Sequence, residues 1–485
     1  MMLAFAIMSV VLGGVVIADF SAQYWIINSQ TSNEGLYNAK TKLEDLRATA
    51  QQNFYDASSM PVAKIADTAC ASGGLCYFVQ TVVTDLSPCS KYAQALVSWQ
   101  VQRYPTTTTS LSTNLTYPAE AVNEGGDCPL NTPAGSWLAA TPAASPYAVS
   151  GNPSSIDVLG GIAYIGTNQS PYLAIADTAG SIPFQNGFAL PDAVDAIDVA
   201  RDAATGRTYA YLAMASTTRQ FAIVDVSDSK NPVLVAATGL SATNTAGSEG
   251  WRIFYYKQKV YLTVRYTLPG KSELYVFDVS NPTTPVEVSN KSLGTSVYGI
   301  VVRDYQAGNT TSTLAYVATT YPSKELMVWD VTNSASMSEL IGATTNIPGV
   351  GNCLSVFLLG DTLYLGCSSS LSQGPDLFAL NASDPLSATG GLSNTVQPVT
   401  VDPSAGINRH VGAIRASGPF LYIYTANTTN SSGALEVRDS TTLSLVSGST
   451  PYLIMNPAET ALDLDGAYLY VANTAPSQLN ILKSI

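Results

Sequence analysis

The sequence predicts a mainly β protein: a long N-terminal helix, a small β module, then a seven-bladed β-propeller closed by pairing of its N- and C-terminal strands. Three observations carry this. The phrase FAIVDVSDSKNP (221–232) returns as LYVFDVSNPTTP from Leu274, LMVWDVTNSASM from Leu326, LFALNASDP from Leu377 and LEVRDSTTL from Leu435, with a lighter copy, YLAIADTAG, from Tyr172. Ahead of each copy stands an apolar run built on a tyrosine, and the tyrosine recurs once more near the C-terminus, giving Tyr164, Tyr211, Tyr261, Tyr316, Tyr364, Tyr422 and Tyr470 at spacings of 47, 50, 55, 48, 58 and 48 residues. Such a period, with several short strands per unit, belongs to propeller blades rather than to one large sandwich. Finally, residues 1–18 (MMLAFAIMSVVLGGVVIA) carry no charge.

Composition narrows the function classes. Apolar residues make up 46% and charged residues 12% of the 485, which suits strands and turns with an uncharged polar surface and more than one domain. A net charge of −13 argues against a nucleic-acid partner, because phosphate binding runs on clustered Lys and Arg. The single histidine, His410, excludes multi-histidine metal sites, and any Ser-His-Asp machinery would have to use it. No metal or cofactor is expected. Cys353 and Cys367 flank LSVFLLGDTLYLG, a hairpin turning at Gly360-Asp361 that sets the sulfurs opposite each other, so they are expected to pair in an oxidising, extracytoplasmic setting. Cys70, Cys76, Cys89 and Cys128 admit three connectivities, among which sequence does not choose.

Taken in order, residues 1–18 span roughly 27 Å as a helix, just under the ~30 Å hydrocarbon core. The pattern continues without proline to about Tyr55, with Leu43, Leu46, Phe54 and Tyr55 on one stripe, so residues 1–55 read as one helix, apolar and then amphipathic. The stretch LAFAIMSVVLGGVVIADF (3–20) resembles the N-terminal helix of type IV pilins and pseudopilins. That resemblance implies a membrane anchor before assembly and other pilin subunits as partners, although the family's basic leader, glycine cleavage site and aromatic-Thr-Leu-Ile-Glu start do not appear. Residues 56–117 read as a small β module of three strands, CYFVQTVVTDL, YAQALVSWQV and TTTTSLSTNLT. Its Val97-Ser98-Trp99 followed by a Thr/Ser-rich strand is similar to the small head of minor pilins. Residues 118–135, rich in turn formers, read as a linker.

The repeats fill 136–485. SWLAATPA at Ser136 matches the last strand of a blade, while the C-terminus supplies three strands without a fourth, so a strand near Trp137–Ala140 is expected to complete the blade of residues 459–485 and leave no open edge. The repeated phrase resembles the LVIVD repeat, a propeller unit of bacterial and archaeal surface proteins, through FAIVDVSDSKNP, LYVFDVSNPTTP and LMVWDVTNSASM and the preceding AYLAMAS, VYLTVRY and AYVATT. The resemblance implies the fold and is nearly silent on activity.

The recurrent acids Asp177, Asp225, Asp278, Asp330 and Asp439, with Asn381, end the third strand of their repeats, where a side-chain oxygen can accept N–H groups of the following turn. The tyrosines read as packing between blades, and Asp463, Asp465 and Gly466 as a hairpin turn. At the leading ends of the first strands stand Trp251, Arg252, Tyr298, Asn352, Arg409, His410 and Glu459, a mixed polar and aromatic ring at the channel mouth, fit for a small ligand or glycan. No serine and carboxylate accompany His410 in a catalytic spacing. The expected function is therefore a non-enzymatic, membrane-anchored surface or filament protein displaying a propeller to an extracellular protein or glycan. The alternatives are a propeller enzyme working at the channel mouth and a structural scaffold of a surface filament.

Overall fold

A computed structural model describes residues 29–65, 76–100, 106–125, 141–143, 146–178, 184–241, 248–265, 271–307, 310–347, 350–369, 374–401, 409–427, 432–446, 452–455, 461–466, 468–474 and 477–483. The apolar residues 1–18 lie outside this set, and no described helix is long and apolar enough to cross a membrane. The chain forms two compact units. Met1–Thr84 with Lys91–Tyr117 makes the smaller, and Asp85–Ser90 with Pro118–Ile485 the larger.

In the smaller unit a helix over 29–52 lays Ala39, Leu43 and Leu46 on a sheet carrying Val79, Ala95, Val97 and Trp99. The Tyr77 hydroxyl ties the two layers by donating to the Thr31 carbonyl (3.1 Å) and to Glu34 (3.0 Å). Gly35 is required where the helix crosses Trp99, since a Cβ there would lie 2.6 Å from the indole. Two expectations need correction. The helix stops at residue 52, and a single 3-10 turn, Phe54–Asp56, follows. The sheet has four strands, Met60–Lys64, Tyr77–Ser87, Ser90–Trp99 and Thr107–Thr116. The added edge strand is exposed along its whole length and contains a proline, so it lacks the alternation that marks a half-buried strand.

In the larger unit the first strands of the repeats are β1 (Pro153–Leu159), β2 (Val194–Arg201), β3 (Gly250–Tyr256), β4 (Val297–Ala307), β5 (Val350–Leu359), β6 (Arg409–Ser417) and β7 (Ala461–Asp465). Each pairs antiparallel with its tyrosine strand, and in the first six repeats that strand pairs in turn with the one ending in the recurrent acid or Asn381; after β7 the third strand is Ser477–Lys483. β1 to β4 each begin a four-stranded sheet, whereas β5 and β6 share a seven-stranded sheet because Ser368, beside β5, bridges to His410. β1 lies beside β2, each first strand lies beside the next, and β7 lies beside β1, so the strands close around an axis. This is a mainly β unit of small antiparallel sheets arranged as a β-propeller.

Its ends pair with each other. Thr141 and Pro142 oppose Lys483 and Leu482, and Tyr147 and Ala148 oppose Leu479 and Gln478. The predicted closing residues, Trp137–Ala140, lie outside the described residues, so the pairing seen runs just beyond them in the chain. Residues 118–135, expected to be a linker, begin with a short helix, Pro118–Asn123, that belongs to the larger unit. The seven recurrent tyrosines are all buried. The recurrent acids form Asx turns: Oδ1 of Asp225, Asp278, Asp330, Asn381 and Asp439 accepts the N–H two residues on, at 2.9–3.0 Å. Cys353 and Cys367, directly opposed on β5 and its partner strand, form a disulfide. Cys76 and Cys89 are also disulfide-bonded, while Cys70 and Cys128 lie outside the described residues.

Candidate functional site

The residue paired with each recurrent tyrosine across the first hairpin is Asp157, Asp198, Phe254, Val301, Phe357, Arg415 or Asp463, in chain order. All seven line one axial cavity of about 950 Å³. Its wall is therefore divided. Phe254, Val301 and Phe357 give an apolar side, and Arg415, Asp463, Asp157 and Asp198 a charged side.

The aspartates also stitch the ring. Asp463 Oδ2 accepts the N–H of Val158 on β1 (2.7 Å), Asp157 accepts that of Val199 on β2, and Asp198 Oδ2 accepts that of Tyr255 on β3 (2.6 Å). Each carboxylate thereby satisfies a backbone donor of the next first strand, which faces the axis and has no strand partner there. Arg415 Nε donates to Asp463 Oδ1 (2.9 Å), and its guanidinium sits 5.8 Å from the Phe357 ring centre. Burial, reinforced by the charges of Asp463 and Asp198, holds the Asp157 carboxyl well above the usual carboxylate range. Burial pushes Asp198 up to about 7, against the opposing pull of the Tyr255 N–H. Burial and the neighbouring acids Glu120 and Asp198 likewise raise Glu124, which lines the same cavity.

The cavity is also lined by Leu86, Ser87, Pro88 and Glu124. These segments are fastened by main-chain bonds. Gly418 N–H donates to the Asp85 carbonyl (2.9 Å), Arg201 N–H to Gly125 (2.6 Å) and Lys257 N–H to Asn123 (2.7 Å). A buried Glu120 receives the Tyr256 hydroxyl (2.6 Å), which itself accepts the Asp304 N–H (2.8 Å). Gly125, at φ 70°, brings the chain so close that a Cβ would meet the Ala200 Cβ at 2.2 Å.

At the leading ends of the first strands, Trp251 is almost buried, with the guanidinium groups of Arg252 and Arg265 at 4.2 and 4.3 Å from its ring and Tyr298 edge-on at 5.8 Å. Arg252 is fixed by donating Nε to the Tyr298 carbonyl and Nη1 to the Trp251 carbonyl, both at 3.0 Å. Arg252 and Tyr298 reach the cavity. Asn352 and His410 meet elsewhere, through Ser368, whose Oγ donates to the Asn352 carbonyl (3.3 Å) and whose backbone pairs with His410. Burial lowers the His410 pKa. Arg409 pairs through its backbone with Asn427, its side chain lies outside the described set, and so does Glu459. The predicted residues thus fall into two groups, Trp251 with Arg252 and Tyr298, and Asn352 with His410. Asp463, expected in a turn, is a wall residue. Gly466 makes the turn at φ 62°, and Asp463 stands inside β7 where its carboxylate reaches β1.

Residues 200–238 and 269–291 match the LVIVD repeat. No curated protein matches the chain. Among solved structures it is similar to YCF48 from Cyanidioschyzon merolae, with 9% identity, a TM-score of 0.43, and coverage of 71% of this chain and 98% of that one. It is also similar to dihydro-heme d1 dehydrogenase NirN in complex with DHE, at 11% and 0.38 over 83% and 73% of the two chains. For the Pseudomonas aeruginosa PilY1 C-terminal domain the values are 12% and 0.39 over 66% and 92%. The chain carries LVIVD repeats on a propeller, and these likenesses concern the fold alone.

Proposed function

We propose that this is a non-catalytic, cell-surface binding protein whose seven-bladed propeller receives a small polar ligand, or the tip of a glycan or peptide, in its axial cavity. The observation that carries the reading is the divided wall: an aromatic side opposite a charged side, with Arg252 and Tyr298 at the rim. Such a wall suits stacking of a ring on one side and ionic or hydrogen-bonded contacts on the other. Asp157, Asp198 and Asp463 each hold the next strand's backbone, a role that competes with service as mobile proton carriers. The count of seven blades is supported by the seven first strands that neighbour one another in a closed circuit. Anchoring through residues 1–18, pilin-like assembly and adhesion rest on the sequence: an uncharged N-terminal run followed by disulfide-bearing β units.

A second reading, a propeller enzyme, is favoured by one feature. Raised carboxyl pKa values in a cavity are characteristic of general acids, and the enzyme would then centre on Asp157 and Asp198 rather than on His410. Two measurements test the proposal. Protease added to intact cells is expected to remove the propeller, and survival of the chain until lysis contradicts display. Glycan and peptide arrays probed with the full chain are expected to give binders that Arg252→Ala weakens; binders indifferent to Arg252→Ala and Tyr298→Ala place the site elsewhere.

A further inference from the structure

Five residues before the turn-capping Asp225, Asp278, Asp330 and Asn381 stand Gln220, Glu273, Glu325 and Asp376, one per repeat in four successive repeats. All four are buried although all are polar. In three of them the side chain makes the same bond. Gln220 Oε1 accepts the Leu240 N–H (3.2 Å), Glu273 Oε2 accepts those of Leu293 (2.5 Å) and Gly294 (3.2 Å), and Glu325 Oε2 accepts that of Ile347 (2.8 Å). Leu240, Leu293 and Ile347 are themselves buried; Leu293 and Ile347 stand four and three residues ahead of β4 and β5, and Leu240 ten residues ahead of β3. Gln220 adds a second bond, from Nε2 to the Ser248 carbonyl (3.0 Å), two residues before Gly250. The strands so anchored carry Trp251 and Arg252, Tyr298, and Asn352 at their second or third positions.

We propose that Gln220, Glu273 and Glu325 are positioning residues that fix the leading ends of β3, β4 and β5, and that the position works through a neutral acceptor, with Glu325 acting as the isostere of Gln220. Two facts carry the second half. Glu325 is fully buried, and its Oε1 has no hydrogen-bond partner. No ion pair reaches it among the described residues, and an ionised carboxylate with an orphaned oxygen and no cation is a far costlier occupant of such a site than a neutral group. The same position in the preceding blades is filled once by an amide and once by an acid, which is what an acceptor role without a charge requirement allows.

The inference leans on the binding reading only for what the positioned residues do. Its test needs no ligand, so the two can fail separately. Hydrogen exchange of individual backbone amides is measured on the full chain for the wild type, Glu325→Gln, Glu325→Met and Glu325→Ala. Glu325→Gln is expected to leave the Ile347 amide as protected as in the wild type. Glu325→Met, which fills the volume without an oxygen, and Glu325→Ala are expected to speed its exchange about 10- to 100-fold while Leu240 and Leu293 stay protected. If Glu325→Ala does not fold, the Gln and Met variants decide. Loss of protection in Glu325→Gln overturns the neutral-acceptor role, and full protection in Glu325→Met overturns the anchoring role.

Discussion

Replacing Asp198 by asparagine separates the two things its carboxylate does. Asparagine keeps an oxygen for the Tyr255 N–H, 2.6 Å away, and so retains the stitch between β2 and β3. It cannot titrate. Burial first, then the Asp463 charge, raises the folded pKa from 3.8 to about 7. A group raised in this way stabilises the fold fully below its unfolded pKa, and that contribution is lost as pH rises through the folded pKa. The loss therefore falls between the unfolded and folded values, about pH 4 to 7, and at 1.36 kcal/mol per pH unit an isolated group would lose about 3 kcal/mol between pH 5 and pH 8, almost all of it below pH 7. Asp157 and Asp463 share the field, and Arg415 opposes it, so Asp198→Asn is expected to remove about 1–2 kcal/mol of the dependence. Urea unfolding of both proteins at pH 5 and pH 8 reads this directly. The wild type should be less stable at pH 8, and the variant should narrow the gap. A wild type that gains stability from pH 5 to 8, or a variant with an unchanged gap, refutes the reasoning. The turn-capping aspartates do not interfere, because Asp225, Asp278 and Asp439 are shifted downward and titrate below this window.

Asp278 behaves in the opposite sense: burial raises its pKa, but hydrogen bonds from Lys259 and Ser280 outweigh this and bring it to about 2. Its contribution is present above pH 3.8 and lost as pH falls through 2, so Asp278→Ala should cost about 1 kcal/mol at pH 7 and progressively less towards pH 2 in urea titrations. Tyr364→Phe removes the hydroxyl that donates to the Ser440 carbonyl at 2.7 Å in a buried setting, and should cost about 1 kcal/mol by chemical denaturation with no change in the circular dichroism spectrum. Replacing Cys353 and Cys367 together by serine opens a loop of 14 residues and should lower stability by about 3 kcal/mol, seen as a lower Tm that no longer responds to reductant at this site.

The features legible in the sequence are those whose partners lie close along the chain. An Asx turn links Asp225 to the N–H of Ser227, so a repeated Asp followed by a turn is enough to recognise it. The same holds for the disulfide, whose cysteines face each other across one hairpin, and for the buried tyrosines, whose spacing marks the repeat. The cavity wall was not legible because its members act between repeats: Val158 and Asp463, bonded to each other, stand 305 residues apart. Its identities also change from repeat to repeat, Asp, Asp, Phe, Val, Phe, Arg and Asp, so no repeated motif announces them. The signal that could have found them is the register itself, since each is the residue paired with a recurrent tyrosine. Asp463 was masked by a local pattern, the Asp-Gly of the next hairpin. Pro118–Asn123 escaped because six residues give too little periodicity to separate a helix from a turn.

Binding of a ligand in the axial cavity and at its rim, as proposed, is decided by titrating the strongest array binder into the full chain. With wild-type protein the binding should saturate at one ligand per chain. With Arg252→Ala, which removes a guanidinium at the rim, the affinity should fall about 10-fold or more. Equal affinity for the wild type, Arg252→Ala and Tyr298→Ala, or a stoichiometry of several ligands per chain, contradicts a single axial site.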